Sequence, residues 1–207
     1  MNTEKVLKII HAVNKEFSIL QAPFELVEVM KFLMTRGIKN YLEIGTHYGG
    51  SFACFYPLCS GKRIFIDHPT KTTAEIHQGR AEKFKNMTNV HPIIADSHLP
   101  ETVEKVRDIL QGELLDFLYI DGDHTYEACK CDYELYKDLV NPQKGVIGFH
   151  DINESNQTRM YGADVHKFWV EVKGNKLSIS QGLEWCGTGL LILDPYPALV
   201  CLDRCET

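Results

Sequence analysis

Tyr41-Leu-Glu-Ile-Gly-Thr-His-Tyr-Gly-Gly-Ser51 decides how the rest of the chain is read. Its first four residues form a largely apolar run, too short for a helix, with the acid Glu43 inside it. Gly45 and Gly49 then permit a tight turn and a close approach of backbone to a ligand. Ser51 is placed to begin a helix. A strand that ends in a glycine turn and passes into a helix is the opening of a βαβ unit.

The sequence beyond Ser51 repeats that rhythm. Short apolar runs return at Arg63–Ile66, Val90–Ile94, Phe117–Ile120 and Val146–Phe149. Stretches of helical period separate them, at Ser51–Cys59, Thr73–Asn86, Pro100–Leu110 and Thr125–Leu139. Such alternation predicts a parallel sheet with helices on both faces, and right-handed crossovers make it doubly wound. A further helix is expected at Ala163–Val172, followed by two strands at Lys176–Ser180 and Gly189–Leu193. Ahead of the first strand, Val6, Ile9, Ile10 and Val13 recur at helical spacing, as do Leu26, Val29, Met30 and Leu33. These place helices over Thr3–Phe17 and Pro23–Thr35. The 207 residues are read as one domain, 1–207, with a helical cover over 1–36 and a core over 40–193.

Bulk properties narrow the partners. A net charge of −6, with no basic stripe, argues against nucleic acid, whose binding depends on neutralising phosphates. No apolar run nears the length of a membrane span, and the amphipathic start differs from a signal peptide. The seven cysteines include no Cys-x-x-Cys, so free thiols in a reducing, cytoplasmic setting are expected. A homo-oligomer is a fair expectation, as is a small-molecule substrate.

In doubly wound sheets ligands bind beyond the carboxyl ends of the strands. The residues just past each strand are therefore informative. Asp67 ends the second strand about 20 residues past the glycines, where an acid can bind ribose hydroxyls. Asp96 and Ser97 come after the third. The fourth leads into Asp121-Gly-Asp-His124, and the fifth into His150-Asp151. Carboxylates so placed can hold a hard divalent ion such as Mg²⁺, with Asp121 the better ligand and His150 a weaker one. His124 can take a proton from a substrate hydroxyl, since its pKa lies near neutrality. The plainer reading of Asp121 and Asp123 is as caps of the helix that starts near Thr125.

These segments carry a resemblance. Tyr41–Ser51 resembles the first motif of class I S-adenosylmethionine-dependent methyltransferases. Leu118-Tyr-Ile-Asp-Gly-Asp-His-Thr-Tyr126, with Asp132 beyond it, is similar to the fourth-strand motif of one branch. That branch holds macrocin-type and rhamnosyl O-methyltransferases and cephalosporin hydroxylase-like proteins. Gly145–Asp151 resembles its fifth-strand motif and Val165–Trp169 the helix after it, so the likeness spans about residues 40–193. It implies an α/β, doubly wound, mostly parallel, seven-stranded Rossmann-like methyltransferase sheet with an antiparallel C-terminal strand. It implies contacts of Glu43, Gly45 and Ser51 with the methionine end of S-adenosylmethionine, of Asp67 with the ribose, and of Asp96 and Ser97 near the adenine. His124 would be the general base for O-methylation of a hydroxyl on a sugar-like or other polar small molecule. Asp121 and Asp151 would hold a divalent metal, usually Mg²⁺. The branch often has another acidic ligand just before the last aspartate; here that residue is His150, and imidazole suits transition metals better.

Two other classes stay in view. Tyr133-x-x-x-Lys137 matches the catalytic spacing of nicotinamide-dependent short-chain dehydrogenases. Their glycine loop, however, would need glycine where Ser51 stands, and their Tyr/Lys pair belongs after the fifth strand. A cofactor-binding module without catalysis is the other.

Overall fold

The computed structural model describes residues 3–182 and 184–194. Cys201 and Cys205 lie outside the described residues; Cys54, Cys59, Cys129, Cys131 and Cys186 are free thiols, as expected.

Two helices, α1 (Thr3–Val13) and α2 (Pro23–Leu33), precede the sheet. Next come β1 (Tyr41–Ile44), α3 (Gly50–Phe55), β2 (Arg63–Asp67), α4 (Ala74–Phe84), β3 (Val90–Ile94), α5 (Pro100–Leu110), β4 (Phe117–Ile120) and α6 (Tyr126–Tyr136). The chain ends in β5 (Val146–His150), α7 (Asn156–Tyr161), α8 (Val165–Glu171), β6 (Asn175–Ile179) and β7 (Thr188–Ile192). All seven strands form one sheet of order β3-β2-β1-β4-β5-β7-β6. β7 pairs antiparallel with both β5 and β6, so it alone runs against the other six. The expected mostly parallel seven-stranded sheet is the one observed.

Every residue of β1, β2 and β4 is buried, because helices cover both faces and leave such strands no solvent side. Successive side chains alternate between two cores. Leu42, Ile44, Leu118 and Ile120 join Val103, Val106 and Phe168 on the α5, α6 and α8 face. Tyr41, Phe65, Phe117 and Tyr119 join Leu26, Met30, Phe52 and Phe55 under α1, α2 and α3. Pro92 sits in β3, at the sheet edge, where a missing ladder donor is tolerated.

Several helices are shorter than the sequence spacing predicts. α3 gives way to a 3-10 turn at Tyr56–Leu58, since Pro57 cannot donate to the turn before it. α1 stops at Val13 rather than Phe17. α7 has no counterpart in the sequence reading. It is a six-residue helix started by a Ser155/Thr158 capping box and ended at Gly162, with too little apolar periodicity to be seen. At α6 the cap is Thr125, whose side chain accepts from the Ala128 N–H. Asp123 is therefore not the helix cap; it accepts from the Thr125 N–H and pairs with Lys71.

The chain runs outward from β1 through β2 to β3, then returns to lay β4 on the other side of β1. That reversal opens a crevice beyond the ends of β1 and β4, where the connections leave in opposite directions.

Candidate active site

A cleft of roughly 700 Å³ occupies this crevice. Gly45, Ser51, Asp67, Asp96, Ser97, Asp121, His124, His150 and Asp151 all line it. Residues drawn from the ends of five strands thus share one wall, as their positions after each strand predict. Glu43 differs. It is fully buried beneath the loop, where Ser51 Oγ donates to it at 2.8 Å and the Tyr41 hydroxyl donates to its other oxygen. Ser51, not Glu43, faces the cleft.

The glycine turn is tied to its neighbours by backbone. Gly45 N donates to Ile66 O and Asp121 N to Ile44 O, both at 2.9 Å. Gly45 has φ +90°, and a Cβ there would lie 2.1 Å from the Asp121 carbonyl oxygen. Only glycine lets β1 and β4 exit side by side at this point. Across the loop, a Cβ on Gly50 would lie 2.2 Å from Ser18 O, so the α1–α2 connection is seated on α3.

Asp67 is almost fully buried. Its Oδ1 accepts from Thr72 Oγ1 at 3.1 Å and its Oδ2 from Arg80 Nη1 at 2.5 Å. Arg80, on α4, also donates to His47 O at 2.5 Å and lies over the Phe65 ring at 4.6 Å. One guanidinium therefore joins the glycine loop to the acid after β2. The sequence offered no sign of this arginine. Arg80→Lys keeps the charge but loses the planar fork. It is expected to weaken S-adenosylmethionine affinity roughly tenfold by calorimetry, with kcat at saturating cofactor near wild type.

Further along the wall, His98 N donates to Asp96 Oδ1 at 2.9 Å and the Tyr136 hydroxyl to Ser97 O at 2.8 Å. His98 Nε2 reaches buried Asp132 at 3.4 Å, and Asp132 raises its pKa.

At the opposite end, His124 Nδ1 lies 2.7 Å from Asp151 Oδ2. Asp151 raises the His124 pKa above the usual 6.5 against the opposing effect of burial. Burial alone would raise Asp151, but His124 and His150 hold its carboxyl well below the ordinary range. Asp151 adopts φ +62°, an uncommon conformation for a non-glycine residue that turns its carboxylate toward both imidazoles. Gln21, Ser18 and Leu20 from the α1–α2 connection, with Gln157 and Tyr161 of α7, complete this end. The sequence reading missed all five, because they lie on connections or a short helix with no motif of their own.

The Mg²⁺ implied by the resemblance does not fit these side chains. His150 Nδ1 lies 3.0 Å from Asp121 Oδ1 and 3.1 Å from Asp151 Oδ1. Gln21 Nε2 donates to Asp121 Oδ2 at 2.8 Å, and His124 stands at Asp151 Oδ2. All four carboxylate oxygens thus have a nitrogen neighbour, whereas Mg²⁺ binds oxygen ligands in near-octahedral array.

Glu43 gives the site a pH signature. Burial pushes its carboxyl up to about 8, against the hydrogen bonds from Tyr41 and Ser51. The folded state then holds a proton that the unfolded chain releases near 4.5. Stability contributed by this proton is full below that value and is lost as pH rises toward about 8. Glu43→Gln mimics the neutral acid, so its melting temperature is expected to gain on wild type progressively from about pH 5 to about pH 8.

A sheet of this order, with a glycine turn after β1 and an acid after β2 on one cleft, defines a class I methyltransferase architecture. Residues 42–152, more than half of the chain, match the family model described as a methyltransferase domain. The chain belongs to that methyltransferase-domain family. It is 25% identical over 152 residues to uncharacterized protein y4gI of Sinorhizobium fredii, a match covering 69% of this chain but only 16% of that protein. It is 26% identical to uncharacterized protein R132 of Acanthamoeba polyphaga mimivirus, over 75% of this chain and 70% of the relative. Among solved structures, an O-methyltransferase of Bacillus cereus in complex with SAH aligns with TM-score 0.62 at 19% identity, covering 92% of this chain and 89% of the other. The O-methyltransferase TomG of Streptomyces achromogenes, in complex with SAM and involved in tomaymycin synthesis, aligns with TM-score 0.57 at 13% identity over 92% and 88%. The dehydrogenase reading finds no support in the site: Tyr133 and Lys137 do not line this cleft, and Lys137 pairs with Glu134 on the surface of α6.

Proposed function

We propose that this enzyme methylates a hydroxyl oxygen of a sugar-like or other polar small molecule, with His124 as general base. The observation that carries the reading is a solvent-reachable imidazole, backed by Asp151 at 2.7 Å, on the same cleft as the glycine turn. The resemblance of Leu118–Tyr126 and Gly145–Asp151 to motifs of the macrocin/rhamnosyl-type branch supports this reading.

In this reading Ser51, Gly45, Asp67, Asp96 and Ser97, which line the cleft, would hold S-adenosylmethionine. Its sulfonium already makes the methyl group electrophilic, so the protein has to align an oxygen and remove a proton. When bound, S-adenosylmethionine would supply the methyl group to the acceptor oxygen, the carbon–sulfur bond electrons leaving with sulfur. The hydroxyl proton passes to Nε2 of His124, the nitrogen that Asp151 leaves free. Asp151 fixes the ring and makes it a stronger base once deprotonated. Ser18, Gln21 and Gln157 suit a polar acceptor, since each offers hydrogen-bonding groups at this end of the cleft.

Calorimetric titration with S-adenosylmethionine and with NAD tests the cofactor. A methyl-labelled cofactor offered with a panel of hydroxylated sugars and natural-product acceptors tests the reaction. Binding of NAD alone, or label appearing on nitrogen rather than oxygen, would overturn the proposal. The single domain and the soluble cytoplasmic setting belong to the same reading; among the described residues no helix is long and apolar enough to cross a membrane.

A further inference from the structure

We infer that the ring of His150 takes the place of a divalent ion between Asp121 and Asp151, so that this site operates without a bound metal. Two carboxylates at the tips of adjacent strands repel one another unless something cationic or hydrogen-bonding stands between them. In this chain that object is an imidazole. Its Nδ1 is nearly equidistant from the two, 3.0 Å from Asp121 and 3.1 Å from Asp151. The outer oxygens are taken by the chain as well, Asp121 Oδ2 by the Gln21 amide and Asp151 Oδ2 by His124. An ion bound by both carboxylates would have to displace His150 from between them, and the ring is largely enclosed, with a side-chain exposure of 12%. Glu25, on α2, adds a third carboxylate close enough to feel His150, its Oε1 accepting from Gly187 N at 3.1 Å.

Asp121, His124 and His150 do bring one ligand atom each within 4.8 Å of one another. Two imidazoles and a carboxylate suit a transition ion. In this chain, however, His124 is engaged by Asp151 and His150 by both carboxylates. The protein's own charges close the cluster. Both ring nitrogens of His150 are buried without a well-formed hydrogen bond, so the ring meets the two carboxylates through the closeness of Nδ1 to each rather than through a bond aimed at one of them.

Metal binding by the intact protein decides the matter and involves no methyl transfer, so its outcome is separable from that of the proposed reaction. Wild-type protein, purified without chelator, is expected to carry substoichiometric metal by mass spectrometry. Titration with Mg²⁺, Mn²⁺, Co²⁺ or Zn²⁺ should give no saturable heat. His150→Asp restores an acidic side chain at the position and is expected to bind Mn²⁺ at least about tenfold more tightly than wild type, read by electron paramagnetic resonance. One equivalent of any of these ions retained by wild type and lost in Asp121→Asn would overturn the inference. So would a folded His150→Asp protein whose Mn²⁺ affinity equals that of wild type. If that variant does not fold, the wild-type metal content alone settles the outcome.

Discussion

His124→Ala is expected to lower kcat by about 10²–10⁴-fold on the acceptor that the labelled-methyl screen identifies, with S-adenosylmethionine affinity unchanged. A hydroxyl is a poor nucleophile at neutral pH, and His124 is an imidazole on the cleft that is about half exposed and backed by a carboxylate at 2.7 Å. His150 is enclosed between Asp121 and Asp151, and His98 is engaged with Asp96 and Asp132 further along the cleft. The substitution leaves the fold intact, because the His124 side chain is about half exposed and its partner Asp151 retains His150. Free imidazole in the assay should restore part of the rate by filling the vacated space. Near-normal turnover in the variant would mean that the base is elsewhere.

The second large effect concerns Gly45. At φ +90° a side chain costs about 1–2 kcal/mol on conformational grounds alone. The added Cβ of Gly45→Ala would also lie 2.1 Å from Asp121 O, 2.5 Å from its carbonyl carbon and 2.5 Å from Gly122 Cα. Those are backbone atoms, so no rotamer change relieves the contact; overpacking of this kind costs about 1–3 kcal/mol. Together the two terms predict a fall in melting temperature of about 5–15 °C. Because the strand exits of β1 and β4 must part, cofactor binding should become undetectable by calorimetry. Gly112→Ala is the control. It has φ +82° but nothing within 4 Å of a Cβ, so it should lose the conformational term and leave cofactor affinity alone.

Much of this architecture was legible because the strands of a parallel sheet read as short, mostly apolar runs. Tyr41–Ile44, Val90–Ile94 and Phe117–Ile120 begin and end where the spacing places them. The glycines and the aspartates were legible for a related reason. In a doubly wound sheet the residue after each strand has nowhere to go but the rim, so Asp67, Asp96, Asp121 and Asp151 were bound to meet at one cleft. α7 was not legible, since six residues are too few for a helical period to show.

The sequence by itself determined the order of strands and helices, the glycine turn after β1, and which acids and imidazoles would stand on the rim. Those stem from local periodicity and backbone freedom, which act over a few residues. Only the tertiary structure decided what those groups do to one another. Gln21 meets Asp121 across 100 positions of chain, Arg80 joins Asp67 to the His47 carbonyl, and Glu43 is sealed behind Ser51. His150 comes to stand between two carboxylates in the same way. Such pairings depend on how whole helices seat against the sheet, and on the loss of water that makes a misplaced charge costly. Neither is written in the spacing of residues along the chain.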